Sequence, residues 1–468
     1  MRINCGKERF IMLFEQIKTI GLGCYSYAIG CPIAGVMAVV DPRRDIDIYL
    51  RIADEHDMHI THIFETHVHA DHVSGAQDLR ISTGADVYIH DSAPVIYDAK
   101  KLNDGDEFTL GNATMRVVHT PGHTPDSVSF LISDLTRSQE PGMILTGDLL
   151  FVGDVGRPDL PGDSMIGEQV RKLYDSLYHT LNQLPDYMEV YPAHGEGSLC
   201  GQGMSAKPHS TLGYERLTNP MLKYPGFADF KDAILSNLPM RPRSFTSIIS
   251  ANINGAENTP KRDLAEYALS ANDICKFSEN GAVVLDLRDA LAFGAAHIPD
   301  SINVDFSDGP RLNWVGMAVP PGVAIVLVLA ADNDFEEICT ELQRIGYDNV
   351  KGWLKGGFYS WMECGKETQS LNYISASALK TRLTGANPPA LIDVSTPREF
   401  SQRSIDGAVN FPIDRIISME ICPVNSNEET VIICQSGFRA GIAASILQAK
   451  CCDQLSILTG GMIAWQNL

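Results

Sequence analysis

The stretch Glu65-Thr66-His67-Val68-His69-Ala70-Asp71-His72 packs three histidines and an aspartate into six residues, and few folds can host such a cluster. It follows Ile60-Thr61-His62-Ile63-Phe64, an apolar, β-branched run that reads as a buried strand. Ligands placed just after a strand sit on a loop that the sheet holds rigid, which is where metal sites are built. A solvated polar loop could have the same composition. However, three further ligand-type positions follow, each at the end of an apolar run: Thr120-Pro121-Gly122-His123, Thr146-Gly147-Asp148 and Pro192-Ala193-His194-Gly195. All therefore fall on loops after strands, on one edge of a sheet structure.

A chain of 468 residues is expected to hold about two to four domains. A formal net charge of −21 argues against a nucleic-acid or acidic-membrane partner. Residues 1–11 carry no signal-peptide pattern and read as a loose extension before a possible start at Met12. The longest apolar runs, such as Val323 to Ala331, are too short to span a bilayer, so the expected location is the cytoplasm. The 11 cysteines show no paired framework. In a cytosolic chain most are small buried apolar residues, with one or two reactive thiols among them. The vicinal pair Cys451-Cys452 near a helix end reads as structural.

Residues 12–240 read as one unit of strands and helices, including a helix over 164–184. The order His-x-His-x-Asp-His, then His123, Asp148 and His194, resembles the metallo-β-lactamase fold, a sandwich of two β-sheets with helices outside. Two ligand sets remain open within that resemblance. A dinuclear Zn(II) hydrolase, with two zincs per chain, would use His67, His69 and His123 at one metal. Asp71, His72 and His194 would hold the other, with Asp148 as the bridge. An enzyme with one Fe(II) per chain would use only His67, His123 and Asp148, two histidines and a carboxylate, leaving positions open for substrate and dioxygen. His69, Asp71, His72 and His194 would then orient the ligands. Gly153-Asp154-Val155-Gly156-Arg157-Pro158-Asp159 resembles the Gly-Arg-x-Asp segment of the persulfide dioxygenase branch, with the arginine nine residues after the ligand aspartate. Arg157 is thus a candidate for substrate contact or for a salt bridge that fixes its loop. Cys200, six residues after His194, is a candidate substrate-facing or regulatory thiol, or a packed loop cysteine.

Prolines at 225, 239, 242 and 260 and one short helix near 227–237 suggest that the chain after 240 is a linker packed on the first domain, assigned to 241–262. The remainder repeats with a period of about 105 residues. Val284-Leu285-Asp286-Leu287 matches Leu391-Ile392-Asp393-Val394, and Gly356-Gly357-Phe358-Tyr359-Ser360-Trp361 matches Gly460-Gly461-Met462-Ile463-Ala464-Trp465. Strands alternating with helices imply one parallel-sheet domain per copy. In the second copy a buried strand runs into Cys434-Gln435-Ser436-Gly437-Phe438-Arg439 and then a helix. A cysteine so placed sits among backbone N–H groups at a helix start, with Arg439 adding positive charge, and can hold an anionic sulfur species. This Cys-x4-Arg loop resembles the rhodanese sulfurtransferases over 374–468. The first copy, 263–366, has no cysteine or following arginine at the matching place, Val326 to Asn333, and reads as an inactive rhodanese-like domain.

The fold class expected is therefore α/β multidomain: a metallo-β-lactamase αββα sandwich followed by two rhodanese-like doubly wound parallel-sheet domains. The resemblance implies a persulfide dioxygenase fused to a tandem rhodanese, acting in sulfide detoxification. Iron-dependent oxidation of a small-thiol persulfide (glutathione, coenzyme A or similar) by dioxygen would give sulfite and thiol. Cys434, with Arg439 beside it, would form or use thiosulfate. The inert middle domain is a natural assembly surface, which points to a homo-oligomer. The alternative is a dinuclear zinc thioester hydrolase similar to glyoxalase II, carrying a sulfur-carrier module.

Overall fold

The computed structural model describes residues 12–236, 238, 240–256, 264–307, 309–418, 428–450, 452 and 454–468. The proposed N-terminal extension and Cys451 lie outside them. The chain divides into two compact units at residue 260, with Gln343–Gly346 grouped with the first.

The first unit contains two six-stranded sheets, each with its strands in sequence order. One runs β1 (Leu13–Thr19), β2 (Cys24–Cys31), β3 (Val36–Val40), β4 (His59–Phe64), β5 (Asp86–His90) and β6 (Lys100–Leu102). The other runs β7 (Glu107–Leu110), β8 (Ala113–His119), β9 (Val128–Asp134), β10 (Met143–Gly147), β11 (Glu189–Pro192) and β12 (Ser210–Thr211). Strand β8 alternates, with Ala113, Met115 and Val117 buried and Arg116 exposed between them. That period of two turns one face into the sandwich, where Phe64 and Phe130 meet across the sheets with ring centroids 5.2 Å apart. Each such fully buried side chain contributes on the order of 1.5–3 kcal/mol. Helices Asp47–Glu55 and Ala76–Thr83 cover the outer face of the first sheet through Tyr49, Ile52 and Leu79. Helices Ile166–Asp175 and Phe227–Ser236 cover the second through Val170, Leu173 and Phe230.

Two expectations need correction. The single helix over 164–184 is an α-helix only over Ile166–Asp175, followed by a π turn, Ser176–Thr180, and a 3₁₀ turn, Leu181–Gln183. The stretch 241–262 is not merely a linker, because it contains the helix Ser244–Asn254. Phe245 and Ile249 of that helix pack on Ala70 and Leu160, so it belongs to the first unit.

The second unit holds two five-stranded parallel sheets of identical order. The first copy contributes β13 (Ala268–Leu269), β14 (Val283–Asp286), β15 (Ile302–Asn303), β16 (Ile325–Val328) and β17 (Val350–Leu354). The second contributes β18 (Asn372–Ile374), β19 (Ala390–Asp393), β20 (Val409–Asn410), β21 (Thr430–Ile433) and β22 (Leu455–Leu458). The orders β13-β17-β16-β14-β15 and β18-β22-β21-β19-β20 are the same, as the internal repeat implies. The helix Phe438–Lys450 has nine consecutive buried residues, Ala440 to Gln448. One side packs on its own sheet. The first copy covers more of it: Ser445 Oγ accepts the Asn303 N–H at 3.2 Å, and Gln448 Oε1 lies 3.1 Å from His297 Nε2.

Candidate functional site

The loop after β4 is held by a relay that starts at Asp41. This residue follows β3 with φ +51°, a conformation that costs a non-glycine side chain about 1 kcal/mol or more. Its carboxylate accepts the Thr66 N–H at 2.7 Å and the Thr66 hydroxyl at 2.9 Å. Because that hydroxyl donates to Asp41, its oxygen accepts from His67 Nδ1, 2.9 Å away. His67 therefore keeps a lone pair on Nε2. His123 reaches the same state by another route: Nδ1 lies 2.8 Å from the Arg157 carbonyl, which can only accept. Asp148 follows Gly147, whose φ of +52° turns the chain at the end of β10.

These three side chains converge, with ligand atoms within 4.8 Å of one another and all three residues buried. Asp148 Oδ2 lies 3.2 Å from His123 Nε2 and 4.0 Å from His67 Nε2. Burial holds both histidines below their ordinary pKa, hence neutral. Neither His123 Nε2 nor Asp148 Oδ2 has a hydrogen-bond partner. Lone pairs thus face a carboxylate oxygen in a buried site, an arrangement that a cation between them resolves. The donor set fits a single divalent metal that takes nitrogen and oxygen ligands.

The other ligand-type residues are occupied differently. His194 Nδ1 lies 2.5 Å from Asp148 Oδ1, and its Nε2 lies 2.7 Å from Asp71 Oδ2. Burial would lower the His194 pKa, but the flanking Asp148 and Asp71 outweigh it and hold the ring charged. Asp71 also accepts from the Cys24 thiol at 3.0 Å and faces His72 Nδ1 at 3.2 Å. His69 turns its Nε2 to Asp41 at 3.0 Å and Glu65 at 3.2 Å. Neither Cys24 nor Asp41 belongs to a ligand block of the sequence. Cys24 opens an apolar strand 47 residues before Asp71, and no local motif marks it.

In the second unit, Cys434 follows β21 and is 1 % exposed. Its Sγ accepts the Gly437 and Ala440 N–H groups at 3.1 and 3.4 Å. The paired glycines of the repeat have a physical reason here. A Cβ on Gly461 would lie 2.2 Å from the Cys434 carbonyl oxygen, and Met462 N–H donates to that oxygen at 2.9 Å. Arg439 is not a free cation over the sulfur, because its guanidinium grips Glu399 through two bonds of 2.8 and 2.7 Å. The two N–H groups and the helix start supply positive potential at Sγ directly. The first copy has Leu329 after β16 where the second has Cys434, which leaves it without a nucleophile. Cys339 is buried in the helix Phe335–Arg344 and does not replace it.

Burial alone would raise Glu399, but Arg439 outweighs it and holds the carboxyl at about 2. A depressed folded pKa adds stability above the ordinary value of about 4.3 and loses it as pH falls toward 2. The thermal midpoint of wild type minus that of Glu399→Gln should be constant above about pH 5 and shrink between about pH 4 and 2. A pH-independent difference would contradict the pairing.

The metallo-beta-lactamase superfamily model matches residues 38–194, and the rhodanese-like domain model matches residues 270–364 and 375–468. A solved metallo-beta-lactamase from Staphylococcus aureus subsp. aureus COL is 32% identical and covers 74% of this chain, which in turn covers 99% of it, with a TM-score of 0.67. The chain belongs to the metallo-beta-lactamase superfamily. It carries two rhodanese-like domains after the superfamily domain. Further similarities are to ETHE1 from Myxococcus xanthus, 30% identical over 53% of this chain and 100% of that one with a TM-score of 0.46, and to Glyoxylase B2 of Dictyostelium discoideum, 29% identical over 47% of this chain and 78% of that protein.

Within this metallo-beta-lactamase domain Arg157 takes the loop role and not substrate contact. It is 2 % exposed, pairs with Asp159 through two 2.7 Å bonds, and donates to the Leu199 and Met240 carbonyls. Its own carbonyl orients His123, so the segment acts on the ligand through its backbone. Gly156 is required for this approach, since a Cβ there would lie 1.8 Å from the Asp148 carbonyl oxygen. Cys200 lies among Asp148 and His194 but is 1 % exposed, and burial pushes its thiol up to about 12. It is therefore a packed, protonated thiol beside the cluster.

Asn252, from the helix assigned to the linker, ties the metal loop together. Its Nδ2 donates to the His69 and His72 carbonyls at 2.9 and 2.8 Å, and its Oδ1 accepts the Ser74 N–H at 2.9 Å. Asn252→Ala should lower first-unit stability by about 1–3 kcal/mol and weaken metal binding by about tenfold or more. Denaturant titration and metal competition measure the two effects, and unchanged values in both would contradict the role.

Proposed function

We propose that the chain oxidises a low-molecular-weight persulfide at a single ferrous iron held by His67, His123 and Asp148, and moves sulfane sulfur through Cys434. The observation that carries this reading is the partition of the ligand-type side chains. Unpaired His123 Nε2 and Asp148 Oδ2 face one point, while both nitrogens of His194 are taken up by the Asp148 and Asp71 carboxylates. Two histidines and one carboxylate leave coordination positions for substrate and oxidant. Bound iron would supply the redox chemistry that couples the substrate sulfur to dioxygen. One persulfide, one dioxygen and one water then give sulfite, the thiol and two protons. The Asp41–Thr66 and Arg157 backbone contacts hold the two histidines in the tautomer that this requires. The Cys434 loop, with N–H groups aimed at Sγ, supports transfer of a sulfane sulfur to sulfite, which makes thiosulfate.

A dinuclear zinc thioester hydrolase is the second reading. It is favoured by the Cys24, Asp71, His72 and His194 ligand atoms lying within 4.8 Å of one another, and by the likeness to Glyoxylase B2. It requires His194 to give up its proton to become a ligand. Metal analysis of the purified chain separates the two readings, together with oxygen uptake on adding glutathione persulfide and assay of sulfite and thiosulfate. One iron per chain with oxygen consumption is expected. Two zincs and no oxygen uptake by the iron-loaded protein would overturn the dioxygenase reading.

A further inference from the structure

The second unit carries one fold twice, and a groove that is open in one copy is filled in the other. Matching pairs set the equivalence. Asn303 and Asn410 each donate to two carbonyls of the strand-end loop, at Asp286 and Arg288 in one copy and Asp393 and Ser395 in the other. Ile298 and Ile405 are 3 % and 4 % exposed. Asp300 and Gly407 both take the left-handed conformation, with φ of 62° and 84°. Trp361 then matches Trp465, and His297 matches Ser404.

In the first copy, the chain leaving helix Gly357–Glu363 crosses this surface as an extended strap. The Trp361 indole donates to the Glu367 carbonyl at 2.9 Å. His297 and Gln369 exchange both main-chain hydrogen bonds, at 2.9 and 3.0 Å. Beneath the strap Trp361 is 4 % exposed and His297 1 %. In the second copy the matching surface is a groove of about 570 Å³, lined by Leu383, Pro389, Ile405 and Trp465 with Lys380 and Asp406 among them. Ser404 is exposed and Trp465 only half-buried. Among the described residues, neither the Trp465 indole nor the Ser404 main chain has a hydrogen-bond partner.

A main-chain donor and acceptor on one residue, beside an indole N–H, is the chemistry that reads an extended polypeptide backbone. We propose that this groove docks an extended segment of a partner protein in the way the first copy docks its own strap. One residue of the segment pairs with Ser404, and a carbonyl two residues earlier accepts from Trp465. The first copy supplies the template, Glu367-Thr368-Gln369. The equivalence ends at Ser401, the counterpart of Gly294. A Cβ on Gly294 would lie 2.3 Å from the Tyr373 ring, so a bound segment must leave the groove before that point.

The probe is a labelled synthetic peptide with the sequence of residues 366–371, titrated into the full chain and followed by fluorescence anisotropy. Saturable binding is expected. It should weaken about fivefold in Trp465→Phe, which keeps an aromatic ring but loses the donor. It should weaken further in Ser404→Pro, which loses the main-chain N–H. Sulfur exchange at Cys434 should be unchanged in Trp465→Phe, which checks its fold. No binding, or equal binding to wild type and Trp465→Phe, would overturn the proposal. Self-association that Trp465→Phe abolishes, without peptide binding, would assign the groove to a second copy of the chain and also overturn it.

Discussion

In Cys434→Ser, sulfur transfer from thiosulfate to cyanide should fall at least about a thousandfold while metal content stays as in wild type. The change is nearly isosteric. The Gly437 and Ala440 N–H groups that face Sγ would meet a hydroxyl oxygen in its place, so the loop keeps its shape. What disappears is the atom that can carry a sulfane sulfur. The first copy offers no rescue, because Leu329 occupies the equivalent place. Under the proposed function, oxygen uptake with a small persulfide continues in this variant, and the product shifts from thiosulfate to sulfite. Exchange activity above about a tenth of wild type would show that another thiol carries the sulfur.

Asp148→Asn should weaken metal binding by at least about a hundredfold and abolish metal-dependent turnover. Asp148 meets both clusters: Oδ1 takes His194 Nδ1 and Oδ2 faces the unpaired His123 Nε2. An amide removes the negative charge from the candidate metal position. It also leaves the His194 imidazolium with Asp71 alone as counter-ion. Asp71→Asn is the comparison that separates the two metal readings. With one metal at His67, His123 and Asp148, Asp71→Asn retains one metal per chain. With a second metal held by Asp71, His72 and His194, the stoichiometry drops from two to one. Metal analysis of the dialysed variants makes the measurement.

The two variants also test the independence of the units. If each centre acts separately, losing Cys434 should leave oxygen uptake intact, and losing Asp148 should leave thiosulfate–cyanide exchange intact. Reciprocal loss would show that one centre depends on the other.

Much of this protein was legible in its residues taken in order. Ligand blocks at strand ends, the repeat of about 105 residues, and the Cys434 loop are local patterns, because a loop after a strand or a helix start is built from neighbours in sequence. The αββα sandwich and the two parallel sheets followed from them. The use each residue is put to required the tertiary structure. Cys24 reaches Asp71, Asp41 reaches Thr66, and Asn252 reaches His69 across 47, 25 and 183 residues. Arg157, open in sequence between substrate contact and a loop salt bridge, takes the salt bridge to Asp159, and Arg439, expected to add positive charge at the sulfur, is paired with Glu399. Sequence determined which side chains could ligate a metal or carry sulfur. Only the fold decided which lone pairs are left unpaired, because hydrogen-bond partners are shared out in space and not along the chain.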